Sequence, residues 1–228
     1  MRRLACLGHD RDVSASGYRE GARLAAPISL VVVAFAATFG VLARAAGMGI
    51  AAPLVMSATT FAGSSQFAAA SILGAAGGSA AAIAAALLLN ARYVPMGVSA
   101  APGFSGGTLR RLLGAQLIVD EAWAIASRRN FDFRVLAGAG SVLYLAWNAG
   151  TLIGVLGGGA LGDPRRLGLD AAFPALFLAL LVPLVPTRRG FVATLLAAAI
   201  ALALIPFAAP GIPIVAASVA CLLGWRRG

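Results

Sequence analysis

The sequence predicts an all-α fold: a polytopic transmembrane helical bundle of about seven to eight helices, some of them broken or re-entrant. Three observations predict it. Hydrophobic residues fill 60% of the 228 positions and charged residues only 11%, against roughly 25% charged in an ordinary soluble domain, so a water-soluble globule of this length could not cover itself. Apolar runs approaching the ~20 residues needed to cross a hydrocarbon core recur along most of the chain. All 18 basic residues are arginine, against 8 acidic ones. They fall mostly in pairs at the ends of apolar runs, at Arg2-Arg3, Arg110-Arg111, Arg128-Arg129, Arg165-Arg166, Arg188-Arg189 and Arg226-Arg227, where orientation signals and interfacial anchors sit in membrane proteins.

Residues 1–23 read as a polar, basic, cytoplasmic tail, and residues 24–228 as the transmembrane domain. A cleaved signal peptide would place its apolar stretch earlier and follow it with a soluble domain, whereas here another membrane segment follows. The candidate spans are Leu24 to Ala46, Pro53 to Ala76, Ser79 to Ala101, Leu109 to Ser127, Val135 to Gly157, Ala171 to Val185, Phe191 to Ala208 and Ile212 to Gly224. The last three are short, nearer to re-entrant or tightly packed segments than to lone lipid-facing helices.

If all eight cross and the N-terminus is cytoplasmic, Arg128, Arg129, Arg134, Arg188, Arg189, Arg226 and Arg227 fall on the side of the basic tail, as the positive-inside rule requires. The pairs at Arg110 and Arg165 then fall outside and count against it. A re-entrant second segment would move every later loop to the opposite side. Small residues inside the spans, as in Gly74-Ala-Ala-Gly77-Gly78 and Gly150-Thr-Leu-Ile-Gly154, let helix backbones approach closely where packing drives association. A faint echo links Thr38-Phe-Gly-Val-Leu with Thr151-Leu-Ile-Gly-Val-Leu, without establishing an internal repeat.

Several function classes are excluded or disfavoured. Arginines at span ends, without a soluble basic face and polar neighbours, do not make a nucleic-acid surface. Cys6 and Cys221 lie at opposite ends and His9 is the only histidine, so no disulfide framework, metal set or cofactor is expected. With no lysine there is no phosphate-binding Gly-x-x-x-x-Gly-Lys loop. An enzyme is not expected, since Asp120 with Asp170, at a span end, is the only aspartate pair to consider. A secondary transporter for a small solute, driven by an ion gradient, is the leading expectation. A channel or a non-transporting assembly subunit is the alternative.

Polar groups inside spans carry the site prediction, because a charge at mid-membrane costs about 2.5–3.5 kcal/mol on insertion scales. Phe61-Ala-Gly-Ser-Ser-Gln-Phe67 interrupts the second span. Gly63, Ser64, Ser65 and Gln66 either open the helix to a bound solute or bond to neighbouring helices. In the third span Asn90 and Arg92 precede Tyr93, Pro95 and Gly97, and Arg92 is either a mid-depth functional group or a snorkelling anchor. In the fourth span the carboxylates of Asp120 and Glu121 point about 100° apart on a helix, so at most one faces Arg92. Asp120 with Arg92 is either a structural ion pair or part of proton coupling. The candidate substrate-binding set is thus Gly63, Ser64, Ser65, Gln66, Asn90 and Arg92, and Asp120 and Glu121 form the candidate coupling or ion pair.

These motifs in this order resemble the AzlC-type branched-chain amino acid permeases, the large subunits of two-component exporters. The resemblance rests on Arg19-Glu-Gly21, Phe61 to Phe67, Asn90 to Tyr93 with Met96-Gly97, Asp120-Glu121, Trp147-Asn-Ala-Gly-Thr151 and Gly168-Leu-Asp-Ala-Ala-Phe-Pro174, nearly the whole chain. It implies export of hydrophobic amino acids such as valine across the inner (plasma) membrane, with a small AzlD-like membrane protein as partner.

Overall fold

The computed structural model describes residues 2–74, 76, 78–157, 178, 181–182, 185, 187–208, 212–217 and 219–220. The described residues are helical, without strands. Helix α1 runs from Arg2 to Ala45, α2 from Ala51 to Thr59, α3 from Gly63 to Gly74, α4 from Ser79 to Asn90, α5 from Tyr93 to Ala100, α6 from Thr108 to Ala115, α7 from Asp120 to Ser127 and α8 from Phe133 to Gly157. Two further helices cover Arg188–Leu204 and Ile212–Ala217, the second packing on α4. The Ala171 to Val185 span, most of the last loop residues, Arg165, Arg166, Asp170, Arg226 and Arg227 lie outside or largely outside the described residues.

Three described stretches are long and apolar enough to cross a membrane: Ser16–Ala45, Ser79–Gly103 and Phe133–Gly157. The helix that carries the first of these continues unbroken through the polar residues ahead of Leu24. The second and fourth candidate spans take the re-entrant form instead.

Helices α1 and α8 set the frame. They lie so close that a Cβ on Gly40 would stand 2.6 Å from the Thr151 carbonyl oxygen, while Cβ atoms on Gly138, Gly150 and Gly154 would collide with the carbonyls of Tyr18, Val33 and Ala37. These contacts advance together along both helices, so α1 and α8 run parallel. The two echoing segments meet here face to face, Gly40 over Thr151 and Gly154 over Ala37.

Helices α2 and α3 form a hairpin. Gln66 Nε2 donates to Ser57 Oγ at 2.9 Å, a contact that two collinear arms could not make across nine residues of helix. Helix α2 starts at the C-terminal end of α1 and descends along α8, where Ser57 meets Thr151 and Tyr144 OH donates to the Ala58 carbonyl at 2.9 Å. Helix α3 then climbs back along α1. Phe67 packs edge-on against Phe35 and Phe39, both at 5.8 Å, and Gly74 ends beside Ala46.

The next crossing, α4 with α5, runs the other way and delivers Gly103 against Phe131, just before α8. From there α6 and α7 make a second excursion. Arg110 lies over the Phe133 ring at 4.7 Å, Leu117 reaches the level of Gly140, and Trp123 returns to Phe131 at 5.5 Å. A crossing followed by a hairpin from its exit end therefore occurs twice, in opposite directions, as in inverted-topology repeats.

This path corrects the side assigned to Arg110 and Arg111. Two re-entrant segments bring them to the same end as Arg129, whose Nε bonds Glu20 of α1 at 2.6 Å. Among described side chains of residues 16–157, Arg19, Arg23, Arg110, Arg111, Arg128, Arg129 and Arg134 gather at this end. Arg44 stands at the other, and Arg92 lies between.

Candidate functional site

The tips of the two hairpins, one from each end of the bundle, meet at mid-depth, and each tip is built from a helix break. In the first, Thr60 to Ala62 leave the helix and Phe61 adopts φ +43°, a region that bulky residues rarely occupy. Its ring is buried and packs edge-on against Tyr144 at 5.1 Å. The break strands the last carbonyls of α2, which would be costly in lipid. Gln116 Nε2, from the opposite tip, donates to the carbonyls of Ala58 (3.3 Å) and Thr59 (2.9 Å). On the other side of the break, Gln66 Oε1 accepts from the Ala62 N–H at 3.2 Å and Ser65 Oγ donates to the Ala62 carbonyl at 2.9 Å.

The breaks also create helix starts at the centre. Helices α3 and α7 begin at Gly63 and Asp120, so two positive dipole ends converge at one depth, while α5 follows α4 through helical residues, the Val94 N–H bonding the Ala91 carbonyl at 3.1 Å. Asp120 and Glu121 occupy the first turn of α7, where negative charge is favoured. Arg92, between α4 and α5, joins the tips. Its Nη2 lies 2.8 Å from Asp120 Oδ2 and donates to Ser64 Oγ at 2.8 Å, and its guanidinium lies 5.2 Å from the Tyr93 ring centre. Arg92 is thus tied to both hairpins and does not reach for an interface.

Around these groups lies a cavity of about 30 Å³, lined by Val32, Phe35, Phe61, Gly63, Ser64, Arg92, Tyr93, Val119, Asp120, Glu121, Leu143 and Trp147. It has room for water and not for an amino acid. Of the residues singled out from sequence, Gly63, Ser64, Arg92, Asp120 and Glu121 come together on its wall. Ser65 and Gln66 are fully buried within the first hairpin and do not line it. Asn90, two residues before Arg92, does not line it either, and its Oδ1 is buried without a hydrogen-bond partner among the described residues.

Sequence reasoning missed Trp147 as a wall residue. It is buried in the middle of α8, and its Nε1 has no partner among the described residues. The signal was present: tryptophan in a membrane helix ordinarily sits at the interfaces, and this one sits midway along a 25-residue span. Among the described residues no cluster of His, Cys, Asp and Glu suited to a metal ion occurs.

No solved structure matches the chain. An uncharacterized membrane protein of Archaeoglobus fulgidus is 32% identical over 219 residues, covering 91% of this chain and 94% of that protein. The branched-chain amino acid transport protein AzlC of Bacillus subtilis is 27% identical over 149 residues, 63% of this chain and 58% of its own length. The model of the AzlC protein family matches residues 27–161, more than half of the chain and the whole of the two-hairpin core, and on that match this membrane protein belongs to the AzlC family.

Proposed function

We propose that the chain is a secondary transporter that exports branched-chain or other hydrophobic amino acids across the inner membrane, driven by a proton gradient and assisted by a small AzlD-like membrane subunit. The observation that carries the reading is the central cavity, where polar and charged groups of opposite sign meet apolar walls between two hairpins that enter from opposite ends. The name of the Bacillus relative supports the substrate class. A zwitterion needs a donor set for its carboxylate and an acid for its ammonium. Arg92 is engaged by Asp120 and Ser64, so the first-turn N–H groups of α3 at Gly63 and Ser64 receive the carboxylate. Asp120 or Glu121 takes the ammonium or the coupled proton, and Val32, Phe35, Phe61 and Leu143 enclose the aliphatic side chain. Ser65 and Gln66 act by shaping the tip of the first hairpin. The small cavity marks a closed state, so loading requires one hairpin to withdraw. The gathering of arginines at the level of Arg19 and Arg23 of α1 supports a cytoplasmic placement of that end.

The test is efflux of labelled valine, methionine and serine from proteoliposomes under an imposed pH gradient, with and without the small partner. Valine and methionine should leave and serine should not. Asp120→Asn or Glu121→Gln should abolish accumulation against a gradient while sparing valine-for-valine exchange. Gradient-driven valine transport unchanged in both variants would place coupling elsewhere, and flux indifferent to any gradient would make the chain a channel.

A further inference from the structure

A buried indole N–H nearly always finds an acceptor, and at mid-membrane neither lipid nor bulk water supplies one. Trp147 is 5% exposed, its ring lines the central cavity, and its Nε1 has no partner among the described residues. On the cavity wall Ser64 Oγ and Asp120 Oδ2 bond Arg92, and one turn along α8 the Thr151 hydroxyl bonds Ser57 and the Trp147 carbonyl. The ring is also held in place. It stacks on Phe39 at 6.2 Å with 23° between planes, and its six-membered edge lies so near α3 that a Cβ on Gly63 would stand 2.9 Å from Cη2.

We infer that Trp147 is a substrate-binding residue whose indole N–H donates to the carboxylate of the bound amino acid, an assignment that rests on the amino-acid reading of the cavity. An indole N–H donates and cannot accept, so of the two ends of a zwitterion it selects the carboxylate and rejects the ammonium. That is the polarity set by the start of α3, against which the ring is pressed. Trp147, Gly63 and Ser64 then form one carboxylate subsite from two elements, α8 and the first hairpin, and the acids of α7 keep the ammonium. In the closed state the N–H has no acceptor among the described residues, and the substrate carboxylate supplies one.

Equilibrium binding of labelled L-valine to the full chain in lipid nanodiscs tests this, with isobutylamine, which keeps the side chain and ammonium but lacks the carboxylate, as competitor. Trp147→Phe should weaken valine binding roughly tenfold or more, the scale of a hydrogen bond to a charged group, and leave isobutylamine binding unchanged. Replacing Trp147 with benzothienylalanine, which keeps the bicyclic shape and puts sulfur in place of N–H, should do the same where the phenylalanine variant inserts poorly. Native valine affinity in these variants, or an equal loss for both ligands, overturns the assignment while leaving the amino-acid reading intact. Failure of the native protein to bind valine saturably overturns both.

Discussion

Gln66 spends both ends of its side-chain amide inside the first hairpin, donating to Ser57 and accepting from the Ala62 N–H. Alanine there leaves a buried donor and acceptor unmet, a loss of about 1–3 kcal/mol. Gln66→Ala should therefore lower the thermal unfolding midpoint of the purified protein by several degrees, while the valine KM of the surviving fraction stays at the native value. A raised KM with an unchanged midpoint would put the amide in contact with substrate instead. The sequence made Gln66 conspicuous as a polar group in an apolar span and left its two readings unresolved. Its partners lie four and nine residues back on a chain that reverses direction, a geometry that spacing alone does not contain.

At the scale of elements, the interruptions were legible and the reversals were not. Glycine and polar residues at Gly63 to Gln66, at Asn90 to Arg92 and at Asp120-Glu121 mark the helix breaks to within a few residues. An apolar run with a central break has the same hydropathy whether its second arm continues or folds back. Here the direction is decided by the positive φ of Phe61 and by side chains from distant helices that take up the stranded carbonyls. The α1–α8 contact was legible only as an abundance of glycine. Its register makes a sharp prediction: Gly154→Leu inserts a side chain where the Ala37 carbonyl already stands, costing at least the ~1–3 kcal/mol of an overpacked core. The variant should insert but lose its monodisperse peak in size-exclusion chromatography. Leu156→Ala, on the exposed side of the same turn, should elute like the native protein.

For the whole molecule, the decisive quantity is which loops share a side. In a background lacking Cys6 and Cys221, single cysteines at Met48 and Ala76 should react with a membrane-impermeant maleimide from one face. Those at Ser105 and Asn130 should react from the other. Labelling of Met48→Cys and Ala76→Cys from opposite faces would mean that α2 and α3 cross rather than return. The same arrangement explains why counting spans from hydropathy misplaced Arg110 and Arg111: each unrecognised hairpin inverts the sides of all that follows, and a second inversion restores them by Arg128.

The parallel contact between α1 and α8 also fixes an order of events during synthesis. Chains emerge N-terminus first, at about 5–20 residues per second, so α1 reaches the bilayer well before the helix whose backbone it must touch. Until α8 arrives, the small-residue face of α1 has only lipid against it, and the first hairpin lacks the Tyr144 and Thr151 hydroxyls that hold it. A ribosome stalled just short of α8 therefore leaves two half-inserted arms and an unpaired helix together in the membrane. That species lasts until Phe133–Gly157 has been translated and inserted.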